Sequence, residues 1–264
     1  MKLSVISSSS AGNSYLLEAK DSALIIECGV SLERMLRAYK GAIGKIEGCI
    51  ISHEHGDHAH YASQYAQLGI RIISAPGTLE AMKLYNHRKA RAVKHLTTMT
   101  SGDWKISAFQ VKHDAAEPFG YIIEHPECGR ILFATDTCEI RYNFRKMHLD
   151  HVLIETNYSH EILTRKVGEG KMDIAQANRV QRSHFACEDA CEWVKSNTDD
   201  SLKTVILLHL SDRNADADAF QAAMIEAAPF ASVAVAKPGL MMELDKFLPC
   251  AATYNRNILF KNEG

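Results

Sequence analysis

Residues 51–60 read ISHEHGDHAH, which puts four histidines and two carboxylates into ten positions directly after the apolar run ending in Ile50 and Ile51. A chain carrying this cluster must stop a strand and turn into a helix within a few residues. The spacing HxHxDH at such a turn lets His53 and His55 reach one metal ion while Asp57 and His58 turn towards a second. A polar turn capping a helix would account for Asp57 as the cap, but it needs no imidazoles. His60 falls outside the pattern and reads as helix surface.

A dinuclear site needs further ligands, and other strand ends supply them. His113 closes the run WKISAFQVKH, Asp136 closes ILFATD and His209 closes KTVILLH. Each is a coordinating residue at the C-terminal end of an apolar strand, the edge where α/β folds collect ligands. Any one alone could be a satisfied core histidine or a turn aspartate. Joined to HxHxDH they form a set.

Strand-like runs occur at 2–6, 14–18, 22–27, 48–52, 70–74, 104–112, 119–124, 130–135, 151–155, 203–209 and 232–243. Helical periodicity marks 31–40, 58–68, 77–86, 173–180, 186–196 and 215–228, the third opened by Gly77 or Thr78 with Glu80 in its first turn. No low-complexity linker interrupts the 264 residues, so one α/β domain over 1–264 is expected, two mixed β-sheets covered by helices on their outer faces. Neither a secretory signal nor a membrane-length apolar stretch is found, which predicts a cytoplasmic protein with no membrane partner. The seven cysteines are scattered without a CxxC, so they read as reduced thiols. A formal charge of -2 excludes wholesale attraction to nucleic acid but leaves room for a local basic patch.

HxHxDH followed in order by His113, Asp136 and His209 resembles the metallo-β-lactamase fold superfamily. Within it, SSSSAGNSYLL, HDAAEPFGY, ATDTC, ETNYSHEIL, RVQRSHFACEDA and LLHLSDRN are similar to stretches of the YycJ/WalJ-like group of metal-dependent hydrolases. The resemblance implies an αββα sandwich with its metals in a cleft between sheet edges and, for the group, a 5′-to-3′ exonuclease. Two positions depart from the pattern. Glu27 in ALIIECG stands where the superfamily usually has an aspartate, and the extra methylene is expected to loosen metal positioning. Ala186 in SHFA replaces a serine able to cap the next helix, a role expected to pass in part to Ser183.

His53, His55 and His113 suit one borderline cation and Asp57, His58 and His209 another, with Asp136 bridging; zinc or manganese would serve. Two such ions favour hydrolysis over redox chemistry. A di-iron redox relative would be expected to carry glutamate at His55, and a zinc-bound cysteine would displace Asp136. Asp57 and His184 are the catalytic candidates, His184 donating to a scissile phosphate or its leaving oxygen.

Substrate contacts are expected from the loop SSSSAGNS, represented by Ser9 and Asn13, and from Asn157, Tyr158 and His184. Basic segments 86–95 (Arg88, Lys89, Arg91, Lys94) and 161–182 (Arg165, Lys166, Lys171, Arg179, Arg182) would make a phosphate track if both flanked the cleft. Tyr158 or Phe185 would then stack bases of a single-stranded nucleic acid. A small-molecule hydrolase acting on a cyclic nucleotide, thioester or lactone is the alternative. A catalytically silent binding protein is disfavoured by the intact ligand set.

Overall fold

In the computed structural model, residues 1–247 are described. The first half forms β1 (Lys2–Ser9), β2 (Gly12–Glu18), β3 (Ala23–Ile26), β4 (Ile46–Ile50), β5 (Ile72–Ser74) and β6 (Ala90–Ala92). The second forms β7 (Thr98–Ser101), β8 (Trp104–Gln110), β9 (Phe119–His125), β10 (Gly129–Ala134), β11 (His151–Glu155), β12 (Thr204–Leu208) and β13 (Ser232–Val235). A last strand, β14 (Met241–Glu243), returns to the first half and pairs antiparallel with β1. The result is two seven-stranded mixed sheets, ordered β14-β1-β2-β3-β4-β5-β6 and β13-β12-β11-β10-β9-β8-β7. Each begins with antiparallel hairpins and ends in parallel strands, β3 to β6 in one and β10 to β13 in the other.

Period-two alternation explains the layers. Leu24 and Ile26 of β3, Leu153 of β11, and Ile206 and Leu208 of β12 join Tyr15, Trp104 and Phe133 in the core between the sheets. Their neighbours point outwards: Ala23 and Ile25 under one helical layer, Val152, Ile154, Val205 and Leu207 under the other. Strands buried on both faces read as continuous apolar runs, which made them visible in the sequence. The first outer layer holds α1 (Leu32–Ala38), α2 (Gly56–Ala59), α3 (Ala62–Gln67) and α4 (Pro76–Ala81). The second half adds α5 (His160–Gly168), α6 (Ile174–Ser183), α7 (Cys187–Asn197) and α8 (Ala217–Ala227), the last two packed on its sheet.

Several expectations need correction. The third expected helix starts at Pro76 rather than Gly77 or Thr78, because proline at the first position loses no hydrogen bond there. The run 232–243 is two strands in different sheets, parted by a turn in which Gly239 has φ +89°. Helix α5 lies outside the expected helices; among its residues only Leu163 is buried, and its start is set by Ser159 Oγ accepting from the Glu161 and Ile162 N–H groups. The cap of α7 is Ala186 with no side-chain bond, and Ser183 ends α6 instead of taking over. Among the described residues six cysteines are free, while Cys250 lies outside them. No described helix is long and apolar enough to cross a membrane.

Candidate metal centre

Strands β1, β3, β4, β8, β10, β11 and β12 run the same way within their sheets, so the loops after them gather at one edge. Three residues there have left-handed backbones: Glu27 after β3 (φ 62°), Asp136 after β10 (φ 45°) and His209 after β12 (φ 52°). This conformation is disfavoured for residues with a Cβ and is kept only where surroundings enforce it. Here it turns each chain out of its strand and swings the side chain into the cluster.

Donor atoms of His53, His55 and His113 lie within 4.8 Å of one another, as do those of Asp57, His58, Asp136 and His209. Asp136 Oδ2 stands between the groups, 3.8 Å from Nε2 of His53, 3.8 Å from Nε2 of His113 and 3.4 Å from Nε2 of His58. Asp57 Oδ2 lies 3.2 Å from His58 Nε2 and 3.5 Å from His209 Nε2. Buried and without hydrogen-bond partners are His53 Nε2 and His209 Nε2. Such nitrogens are costly unless a ligand uses them, so the donor set fits cations.

Outer contacts orient the rings. His113 Nδ1 donates to the Ser183 carbonyl at 2.9 Å, which leaves its Nε2 as the acceptor facing the cluster. His53 Nδ1 is 2.9 Å from Ser52 Oγ. The Ser52 N–H donates to Glu27 Oε1 at 3.1 Å, while Glu27 Oε2 stays 3.7 Å from His58 Nδ1, too far for a hydrogen bond. The longer side chain of Glu27 thus anchors the loop by its backbone more than the imidazole. Gly29 lets that loop pack: a Cβ there would stand 1.7 Å from the Asp57 carbonyl oxygen. The sheets are laced together by Ser8 Oγ, which accepts the His209 N–H at 2.9 Å.

The charges are strongly polarised. Burial keeps His53 well below the usual imidazole range, with His58 adding to it, and burial likewise lowers His113. Burial opposes charge on Asp136, yet His209 and His58 hold it well below the usual carboxylate range. Asp57 is lowered too, because His209 and His58 outweigh its burial. Against burial, Asp136 raises His58 and His209 well above the usual range. One buried carboxylate, Asp136, and one half-buried, Asp57, thus call for positive charge.

Glu155, at the end of β11, was missed. It carries the signal that singles out Asp136, an acid closing an apolar run, here VLI. Its Oε1 accepts from His184 Nδ1 at 2.7 Å and lies 3.3 Å from His209 Nδ1. Its Oε2 accepts the N–H groups of Thr137 at 3.0 Å and Phe185 at 3.3 Å. Burial works against a charge on His184, but the Glu155 carboxylate prevails and raises its pKa.

Above the cluster opens a cleft of about 590 Å³, and His55, Asp57, His113, Asp136, His184 and His209 all line it. His53 and His58 are fully buried beneath it. Asn157 lines the cleft and also holds the His209 carbonyl through Nδ2 at 2.8 Å. Ser10, rather than Ser9, reaches it, since Ser9 Oγ is turned to the Ala11 N–H. Asn13 is buried, its Nδ2 lying 3.3 Å from Asp57 Oδ2 and 3.0 Å from His58 Nε2, so it braces these side chains from behind. Tyr158 packs with Leu163, Met172 and Ala177, and Phe185 lies in the core under α7; neither ring faces the cleft. The segment 86–95 does not flank it either. None of its residues lines the cleft, and Arg91 instead lines a separate groove with Glu47, the second residue of β4. From the second basic segment, Arg179 lines the cleft, joined by Arg213.

A profile of the Beta-lactamase superfamily domain matches residues 23–210. The chain is 28% identical over 225 residues to the exodeoxyribonuclease WalJ of Streptococcus pneumoniae, covering 81% of this chain and 82% of that one. It is 24% identical over 231 residues to the exodeoxyribonuclease YycJ of Bacillus anthracis, covering 80% and 83%. Among solved structures, the metallo-beta-lactamase fold protein YhfI from Bacillus subtilis superposes with a TM-score of 0.72 at 18% identity, over 92% of this chain and 99% of that one.

Proposed function

The chain belongs to the beta-lactamase superfamily, and from that premise we propose that it is a metal-dependent phosphodiesterase, a 5′-to-3′ exonuclease of single-stranded nucleic acid. The observation that carries this reading is the cluster of seven donors on the floor of an open cleft, with His184 at its wall. His53, His55 and His113 would hold one divalent transition-metal ion, zinc or manganese, and Asp57, His58 and His209 a second, with Asp136 facing both. When bound, such ions supply Lewis-acid stabilisation of charge on phosphoryl oxygens.

The chain's own groups complete the chemistry. His184 donates a hydrogen bond from Nδ1 to Glu155 Oε1, keeping that proton, and turns Nε2 to the cleft, where it would donate its other proton to the leaving oxygen. Glu155 favours the charged form of that ring and orients it. The two named exodeoxyribonuclease relatives support a nucleic-acid substrate over a small one. The reading extends to one hydrolase domain over the chain, and the free cysteines fit a reducing cytoplasm.

Digestion of end-labelled single-stranded DNA and RNA by metal-free protein supplied with manganese or zinc tests the proposal. Stepwise release of nucleotides from the 5′ end is expected. Hydrolysis of a small chromogenic phosphodiester without any digestion of oligonucleotides would assign the site to small substrates instead.

A further inference from the structure

Helix α6 presents Gln176, Arg179, Val180 and Ser183 to the cleft, spaced as one face of a helix. Its end is fastened to the centre by the Ser183 carbonyl, which accepts from His113. Arg179 lies one turn before that anchor, about 6 Å along the helix, and His184 follows it directly.

Arg213 comes from the loop after His209. That loop is pinned throughout: the Ser211 N–H donates to the Asn157 carbonyl at 3.0 Å, the Ser159 N–H to the Asn214 carbonyl at 3.2 Å, and Lys166 Nζ of α5 to the Arg213 carbonyl and to Asn214 Oδ1. The backbone of Arg213 is therefore fixed while its side chain is exposed. Among the described residues neither the Arg179 nor the Arg213 guanidinium has a hydrogen-bond or ion-pair partner, although both border a cleft. Asp114 and Asp212 line the same cleft and repel a polyanion, so away from the metal centre and His184 attraction depends on these two cations.

We propose that Arg179 and Arg213 form a two-sided phosphate clamp that engages the backbone phosphates next to the scissile one, making them the residues that select a nucleic-acid strand over a small phosphodiester. The proposal rests on the nuclease reading. Planar guanidinium forks bind phosphate bidentately, and two of them on separate supports, a helix and a pinned loop, would set a strand's path across the centre. Segment 86–95, the denser basic run, takes no part because it does not border the cleft.

The test uses the metal-loaded full chain with a long end-labelled single-stranded oligonucleotide, and Arg179→Gln, Arg213→Gln and the double variant. Each single change should raise KM by about 10-fold and flatten the slope of log affinity against log salt by about 0.7 per lost contact. The loss in kcat/KM should be at least about 10-fold greater on the oligonucleotide than on a chromogenic phosphodiester. Arg179→Lys and Arg213→Lys should recover the salt slope but not the whole KM, and Arg88→Gln with Lys94→Gln should match wild type. Metal content and melting temperature verify that each variant is folded. A double glutamine variant with wild-type KM and salt slope would overturn the clamp while leaving the nuclease reading intact. Failure of the wild type itself to digest any oligonucleotide would remove that reading and the clamp with it.

Discussion

Oε1 of Glu155 lies 2.7 Å from Nδ1 of His184, and Oε2 of the same carboxylate accepts two backbone N–H groups, those of Thr137 and Phe185. In Glu155→Gln the amide oxygen must face the two N–H donors, which turns its NH₂ towards His184. His184 Nδ1 must then accept, so the ring becomes neutral. Turnover should fall by a factor of about 10² to 10⁴ in Glu155→Gln and in His184→Ala, with metal content of the latter near wild type. The double variant should be no slower than His184→Ala alone. Additive losses, or equal loss of metal and activity in His184→Ala, would count against an acid held by a carboxylate.

Metal analysis of protein purified without chelator should give about two transition-metal ions per chain. Asp136 faces both donor groups, so Asp136→Asn should weaken both ions, the more informative change because asparagine tolerates the φ of 45°. His209→Ala should mainly weaken one. A wild type that retains no ion after reconstitution with zinc and manganese would refute the assignment.

Gly29 offers a test of packing alone. Gly29→Ala pushes a methyl group into the Asp57 carbonyl and should weaken binding at the Asp57 and His58 side about 10- to 100-fold. Gly168→Ala, at the end of α5, whose new methyl meets nothing within 4 Å, should leave metal affinity unchanged and should not lower the melting temperature. Isothermal titration with zinc reads the difference.

His151, on β11, lies buried with neither ring nitrogen hydrogen-bonded, and burial holds its pKa down to about 4. The unfolded chain takes up the proton near pH 6.5 and the folded chain only near 4, so the stability is complete above about 6.5 and is lost as the pH falls towards about 4. From pH 7 to pH 5 this group should cost about 2 kcal/mol. In His151→Leu, urea unfolding should lose about that much less over the same interval. Parallel pH curves for the two proteins would reject it.

The candidate metal donors were legible from two signals, the dense HxHxDH cluster and, for His113, Asp136 and His209, a coordinating residue at the end of an apolar run. Glu155 shows the second signal after VLI, but its partner His184 is distant in sequence and reaches it only through the α5–α6 hairpin. Strands β6 and β7 have three and four residues, largely exposed, and so leave no alternation to read. Charge counts along the chain marked Arg88 to Lys94 more strongly than Arg213, since local density says nothing about which residues border the cleft. Tyr158 follows a strand end as Asp136 does, yet its ring is drawn to Leu163 and Met172 because an aromatic body gains more there than at a wet rim.

The pairing of β1 with β14 has a consequence for biogenesis. Until β14 joins it, Lys2, Leu3 and Ser4 of β1 are the border of the first sheet, and their partners are Glu243, Met242 and Met241. On a ribosome adding about 5 to 20 residues per second, the amino-terminal strand emerges early but waits tens of seconds for its mate. Throughout that interval its backbone groups are open to any passing chain. Nascent-chain lengths stalled before residue 241 should therefore bind trigger-type holdases and cross-link to one another, and those extended past residue 243 far enough to clear the exit tunnel should not.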